Sequence, residues 1–405
     1  MKLNTEILQK LYRDAGVFLW DGQTPICSRS NQCLLFERPV RTLALYLPST
    51  PSHLKNLFKE IEKGLNNGLY AAGWLSYEVG YLMVPKLYKL IFNIKSSLPL
   101  AWFGLYKKPQ ILPADYLKAL HLDDDAKEKL KKISLKLNTS KQEFIYNVDK
   151  IHSYIRAGHT YQINYTIRGS FDLPASNAFG LFGLLRQRQQ TLYRAFIRPF
   201  KDLQILSLSP ELFLGRHGNR IWTKPMKGTA PRGKTQKEDR KLASMLKNDE
   251  KNRAENVMIV DLLRNDLGRV CQIGTVQVPE LFCIESYKTL FQMTSTIQGR
   301  LTQNTSWSEI LKSIFPCGSI TGAPKIRSME IIAELEKSPR NIYTGAIGYI
   351  CPDNSAIFNV AIRTLTINKN VGEIGIGAGI TIGSSPEEEY NETVLKARFL
   401  TEKIQ

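Results

Sequence analysis

The strongest constraint on the fold is the rhythm of the chain after residue 160, where short apolar runs of strand length alternate with a few helix-length amphipathic segments. Strand-like runs cover residues 161–168, 195–198, 204–207, 344–350, 356–366 and 372–376, and helical periodicity covers 238–248, 254–263, 325–336 and 387–402. Many strands and few long helices predict an α+β architecture, with large sheets covered by helices. Upstream lies a helix signalled at both ends: Ser140 and Glu143 fit a capping box, Phe144, Val148, Ile151 and Ile155 make an apolar stripe, and Gly158 stops it. Residues 1–110 mix short alternating segments, such as 43–47 and 74–77, with turns. The polar, Lys-rich residues 111–139 read as a linker, and residues 140–400 as the main region.

With 405 residues and 43% hydrophobic side chains, the chain can bury a large core. Its formal net charge of +18 favours an anionic partner or substrate without saying which. The densest basic run, 127–132, follows Asp123, Asp124 and Asp125 and reads as an exposed linker face. No helix-turn-helix, RRM or zinc pattern supports a nucleic-acid role. The longest apolar stretch, 98–106, is too short to span a bilayer, and Glu6, Lys10 and Arg13 interrupt any signal core. A cytoplasmic location, with no membrane partner, is therefore expected. Cys27, Cys33, Cys271, Cys283, Cys317 and Cys351 form no CxxC pair and read as reduced, structural thiols.

Residues 228–235 fit GxxxxGK[ST], and 257–261 resemble the apolar strand ending in a metal-binding Asp that accompanies a P-loop. A P-loop must follow a buried parallel strand, yet Lys224, Pro225 and Lys227 stand where that strand should end. The leucines of 257–266 also fall at helical spacing. The match is therefore expected to be chance, with a P-loop nucleotide-binding protein kept as the alternative from another class. In the last helix, Ser385 and Glu388 fit a second capping box, Pro386 suits the first turn, and Val394, Leu395 and Phe399 are expected to face the core. Glu389, Glu392 and Lys396 then share one face. Glu255 falls in the expected first turn of 254–263. These carboxylates can be a surface ion pair and a helix cap, or two helices' hard oxygen ligands for Mg²⁺; spacing leaves both open.

Eight ordered strings narrow the choice. They are 161–166 (YQINYT), 209–213 (SPELF), 225–233 (PMKGTAPRG), 254–266 (AENVMIVDLLRND), 318–325 (GSITGAPK), 361–364 (AIRT), 377–380 (GAGI) and 389–392 (EYNE) with Lys396 and Ala397. Their order and spacing resemble the chorismate-utilising enzymes: anthranilate synthase large subunits, isochorismate and salicylate synthases, and aminodeoxychorismate synthase component I. The matches are dense over 140–400, and weaker similarity, including 73–78 (GWLSYE), reaches the N-terminal part. The resemblance implies an α+β fold of layered α/β/β/α type, with two large orthogonally packed sheets and helices outside. It makes 1–110 a region like that of anthranilate synthase component I and 140–400 the chorismate-binding catalytic region.

Within the family, members that add water to chorismate carry a basic Lys where this chain has Gln162, and an amide cannot deprotonate water. Anthranilate and isochorismate synthases typically have Ala where this chain has Lys227. Lys227 resembles the aminodeoxychorismate synthase component I branch, with an anthranilate synthase large subunit as runner-up. By carry-over, a desolvated Lys227 attacks C2 of chorismate while Glu211 protonates the departing C4 hydroxyl, and ammonia then displaces the lysine at C4. Glu255 and Glu392 match Mg²⁺ ligands, with Glu389 close by or bridging through water. Tyr343, Arg363, the Gly379 amide and Lys396 match positions that hold the enolpyruvyl carboxylate, and Ser319 a hydroxyl lining the pocket.

Gln292 departs from the pattern, because many relatives have His there; an amide can bond the C4 hydroxyl but shuttles no proton. The product is therefore expected to keep its enolpyruvyl group. No glutaminase-sized segment or C-terminal lyase extension is evident. The resemblance thus implies ammonia supplied by a separate glutaminase (component II) subunit in a heterodimer, with the product a precursor of 4-aminobenzoate and folate.

Overall fold

The computed structural model describes residues 11–24, 32–113, 117, 133–189, 191–287 and 290–401. Glu6, Lys10, Cys27, the acidic triplet 123–125 and the basic run 127–132 lie outside the described residues.

The described strands form two antiparallel sheets of ten strands each. The first runs β16 (Gly322–Ala323), β8 (Gln162–Asp172), β20 (Val371–Ile380), β19 (Thr364–Asn368), β10 (Leu203–Ser209), β9 (Tyr193–Phe200), β1 (Val17–Gly22), β2 (Gln32–Phe36) and β6 (Gln110–Pro113), with β7 (Lys136–Leu137) on β8. The second runs β13 (Met226–Pro231), β15 (Leu290–Arg300), β12 (Arg220–Lys224), β11 (Leu212–His217), β18 (Ala356–Val360), β17 (Ala346–Ile350), β4 (Tyr70–Leu75), β5 (Ala101–Tyr106) and β3 (Arg41–Leu45), with β14 (Gln277–Ser286) on β15. Both sheets thus combine strands from residues 1–110 with strands from residues 140–400.

Several strands are buried on both faces. Along β5, Ala101, Phe103 and Leu105 join the large core that includes the helices, while Trp102 and Tyr106 join a second, aromatic core. Along β1, Val17 and Leu19 go to the first core and Phe18 and Trp20 to the second. This is the period of two that a pleated strand imposes. The aromatic core draws on both sheets; Trp74 stacks on Trp102 at 5.3 Å and Trp20 meets Tyr349 edge-on at 5.7 Å.

Two corners carry the chain between the sheets. After β10 it crosses to β11 through Pro210 and Glu211, and after β18 it returns to β19 through Ala361, Ile362 and Arg363. The corners are laced together, because the Leu208 amide donates to the Arg363 carbonyl and the Val360 amide to the Glu211 carbonyl, each at 3.0 Å. Arg363 adopts a left-handed φ of 48° to make its turn. The expected single strand 356–366 is therefore two strands in different sheets.

Among the helices, Ser140 caps Lys141–Arg156 by accepting from the Glu143 amide, while the Glu143 carboxylate bonds Lys337 at 2.5 Å. Asp249 caps Glu250–Gly268, so this helix starts earlier than expected and Glu255 lies in its second turn, leaving Glu250 as the first-turn acid. The expected helix 387–402 divides into Pro386–Leu395 and Arg398–Thr401. Ser385 makes no side-chain cap bond, and Val394 and Leu395 are solvent-exposed rather than core-facing.

The P-loop alternative fails on geometry. Residues 228–231 belong to β13, which is antiparallel to β15, and 257–261 lie inside the helix Glu250–Gly268. The amides of Gly233 and Lys234, which a phosphate would need, donate at 2.8 Å to Asp239 and Glu238. Among the described residues, no helix is long and apolar enough to cross a membrane.

Candidate active site

A cavity of about 940 Å³ opens where the two corners meet the bulged edge of one sheet and two helices. Pro210 and Glu211 enter from one corner, Ile362 and Arg363 from the other, and Met226 to Thr229 from β13. β20 contributes Gly375, Gly377 and Gly379; the helix Glu250–Gly268 contributes Lys251, Asn252 and Glu255; and the last helices bring Glu389, Glu392 and Lys396. Of the residues singled out in the sequence, Lys227, Glu211, Tyr343, Arg363, Gly379, Lys396, Gln292, Glu255, Glu389 and Glu392 all line this space. Ser319 and Gln162 stand immediately behind it.

Ser319 Oγ donates to Glu211 Oε1 at 2.5 Å. Gln162 is buried, with its Nε2 only 2.4 Å from where a Cβ on Gly379 would sit and its Oε1 without a partner among the described residues. Lys227 Nζ is 3.6 Å from that same point, so a Cβ at 379 would displace Gln162 and lie in contact with Lys227. Tyr343 packs flat against β20, where a Cβ on Gly375 would fall 2.1 Å from its ring. Arg168 covers the ring at 5.1 Å, and burial pushes the phenol up to about 12, keeping it a neutral hydroxyl.

The electrostatics divide the site into an acid, an amine and an anion cradle. Glu211 is 4% exposed; burial pushes its carboxyl up to about 7, against the opposing pull of the Ser319 hydroxyl and the Lys227 charge. Lys227 is largely buried, with the Glu255 carboxylate 3.8 Å from its Nζ. At Glu392, burial is outweighed by Lys396, Lys251 and Lys227, and the carboxyl is held below its usual range. Glu389 is raised by burial, with the neighbouring Glu392 charge adding to it. Arg363 reaches the cavity with Nη1 bonded to Gln189 Oε1 at 2.7 Å, and burial works against its charge. A carboxylate arriving beside Arg363 and Lys396 would meet two cations in a confined space.

Glu255, Glu389 and Glu392 supply the hard oxygens that Mg²⁺ prefers. Among the described residues no three acidic, His or Cys side chains converge into a closed metal cluster. Instead, Glu255 faces the Lys227 ammonium and Glu392 faces Lys396 at 2.7 Å. That donor set fits a divalent ion held by one or two carboxylates and completed by substrate and water. The Glu392–Lys396 pair is also the i,i+4 surface contact that helical spacing permits.

Several contributors carried no sequence signal. Gln189, in a polar run after a helix, fixes Arg363. Lys251 and Asn252 enter because the helix starts earlier than its apolar periodicity shows. Arg340 is 1% exposed and bonds the Glu336 carboxylate, the Asn164 carbonyl at 2.6 Å and the Ile320 carbonyl at 2.8 Å, while its amide donates to Glu78 at 2.6 Å. Asn164 and Ile320 line the cavity, so this buried pair braces its wall. Arg340→Met should cost about 3 kcal/mol in urea unfolding, because it removes the nearer of the two buried cations facing Glu336, which keeps Arg168 at 3.6 Å and the Thr166 amide at 2.9 Å.

Among the cysteines, Cys33, Cys271, Cys283, Cys317 and Cys351 are free. The Cys317 thiol, buried beside Ser319, is pushed up to about 12 by burial, which makes it a poor thiolate source.

A sequence profile described as chorismate binding enzyme matches residues 17–402. The chain is 43% identical over 271 residues to a probable chloroplastic aminodeoxychorismate synthase of Oryza sativa subsp. japonica, covering 66% of this chain and 30% of that protein. It is 42% identical to aminodeoxychorismate synthase component 1 of Bacillus subtilis (strain 168), covering 63% of this chain and 54% of that protein. Anthranilate synthase component 1 1 of Haloarcula marismortui is 40% identical over 65% of this chain and 54% of its own length. The matches thus span about a third to a half of these curated relatives. In three dimensions, the chain matches anthranilate synthase component I from Streptococcus pneumoniae TIGR4 with a TM-score of 0.74 and 26% identity, over 94% of this chain and 95% of that one.

Proposed function

We propose a function from the premise that this chain belongs to the chorismate binding enzyme family: it aminates chorismate at C4, giving 4-amino-4-deoxychorismate. The observation that carries this reading is a lysine amine and a buried, proton-holding carboxyl, Lys227 and Glu211, lining one cavity with the anion-binding groups Arg363 and Lys396. Two of the relatives described above are named aminodeoxychorismate synthases, while a third is named an anthranilate synthase.

Once its ammonium proton has passed to water, Lys227 Nζ forms a bond to ring C2 through the freed lone pair, the two ring double bonds shift, and the C4–O bond breaks. Glu211 gives its proton to the leaving oxygen, releasing water. Ammonia then bonds to C4, the double bonds shift back, and the C2–N bond to Lys227 breaks. The Glu211 carboxylate takes up the proton that the new ammonium sheds. Arg363, Lys396, the Gly379 amide and the Tyr343 hydroxyl hold the enolpyruvyl carboxylate away from the reacting carbons. Glu255 and Glu392, with Glu389 beside them, would hold Mg²⁺, which supplies a counter-charge for the ring carboxylate. A separate glutaminase subunit supplies the ammonia, and the product serves 4-aminobenzoate and folate synthesis.

The runner-up is anthranilate formation by direct attack of ammonia at C2, favoured by the anthranilate synthase names among the relatives. Incubation with chorismate, Mg²⁺ and ammonium, followed by chromatography and mass analysis, decides between them. The expected product carries an added amino group, retains its enolpyruvyl group and appears without pyruvate. Anthranilate with equimolar pyruvate would overturn the reading.

A further inference from the structure

Lys227 does not sit on a regular strand. In the pairing of β13 with β15, Met226 faces Thr294 and Thr229 faces Gln292, so three steps on one strand match two on the other. The extra residue is a bulge at Lys227 and Gly228, and Gly228 takes a left-handed φ of 82°. Bulges break the ladder locally and re-aim a side chain, at the cost of backbone groups without strand partners. At this bulge the freed carbonyl has a partner. Gln292 Nε2 donates to the Gly228 carbonyl at 2.9 Å, and the Thr229 hydroxyl donates to Gln292 Oε1 at 3.1 Å. The Gly228 carbonyl, which can only accept, fixes which end of the amide is nitrogen. Gln292 itself is 8% exposed, and both bonds lie at the partly buried wall of the cavity.

We infer that Gln292 is a positioning residue that clamps the bulge presenting Lys227, rather than a group that bonds the C4 hydroxyl of the substrate. Both functional ends of its amide already serve the residues directly after Lys227. The clamp has a second wall, because a Cβ on Gly228 would lie 2.9 Å from Asn252 at the start of the helix that carries Glu255. The amine is thereby held between an amide clamp on one side and its carboxylate partner on the other. The geometry needs both a donor and an acceptor at 292, which an amide provides at any pH and a carboxylate does not.

The inference rests on the amination reading for its kinetic consequence and on geometry alone for its structural one, so the test reads both. Gln292→Glu keeps an acceptor for Thr229 and loses the donor to Gly228. On the full chain, with ammonium as nitrogen source, it should lower kcat by about tenfold to a hundredfold while the KM for chorismate stays within about twofold. Thr229→Val, which removes the other half, should lower kcat by about threefold to tenfold, and Thr229→Ser should restore it. Hydrogen exchange of residues 226–231, followed by mass spectrometry without substrate, should quicken at least about tenfold in Gln292→Glu and stay native-like in Thr229→Ser.

A raised KM in Gln292→Glu together with a native kcat in Thr229→Val would overturn the clamp and return Gln292 to the substrate. Unchanged exchange in Gln292→Glu would overturn it too. If the wild-type chain leaves chorismate untouched, the amination reading falls, and the exchange rates still decide the clamp.

Discussion

Lys227→Ala is expected to lower chorismate amination by on the order of 10⁴-fold or more, the scale on which loss of a covalent nucleophile is felt. Lys227→Arg should fail equally, because a guanidinium keeps its charge and has no lone pair to offer. The direct readout needs no nitrogen source. Incubated with chorismate and Mg²⁺ but without ammonia, the wild-type chain should gain the mass of chorismate less one water, and peptide mapping should place it on Lys227. Ammonium should then discharge it. Adduct-free protein that still turns chorismate over at a native rate once ammonium is added would remove Lys227 from the chemistry and leave it as the ion partner of Glu255.

Glu211→Gln should cost about 10²- to 10⁴-fold at pH 6, the usual worth of a positioned general acid. Because burial pushes the Glu211 carboxyl up to about 7, its protonated fraction is nearly full at pH 6 and falls tenfold for each unit above 7. The ratio of wild-type to variant rate reports the contribution of this carboxyl. That ratio should be flat below pH 7 and fall above it. A ratio that stays constant to pH 9 would remove Glu211 from proton transfer.

The same shift has a stability consequence of defined sign. A carboxyl raised from 4.5 to about 7 on folding binds more proton in the folded state between those values, so stability falls as pH rises through that window. Glu211→Gln should therefore melt a few degrees above wild type at pH 8 and lose that advantage by pH 5. A carboxylate kept for its chemistry at a cost in stability is what this comparison would reveal.

The local signals in the sequence were accurate where the physics is local. Ser140 caps its helix and Gly158, with a φ of 75°, follows its end. The strings also converge, because the corners, the bulge, strand β20 and the helices that carry them gather around one cavity. What was not legible depended on partners far along the chain. Strands such as β5, apolar on both faces, show no polar alternation to mark their bounds or their layers. The run 356–366 looks like one strand because nothing in Ala361, Ile362 and Arg363 announces a change of sheet. The bonds that tie Gln292 to Gly228 and Thr229 were not legible either, since its sequence neighbours carry no sign of them. Ser385 had cap chemistry, yet it makes no side-chain cap bond.

The sharing of both sheets between the two ends of the chain also sets an order of events during synthesis. Leu19 of β1 pairs with Phe196 of β9, and Ala72 of β4 pairs with Tyr349 of β17. At the usual pace of a ribosome, β1 waits on the order of ten seconds or more for its partner, and β4 longer still. Throughout that interval the aromatic core that Phe18, Trp20, Trp74 and Trp102 share lacks Tyr193, Ile197, Ile347 and Tyr349. Folding of this chain is therefore dominated by late, long-range closure, slow for its size and exposed to aggregation until the last strands emerge. Production with holdase chaperones in excess should raise the soluble yield more than any change at the surface.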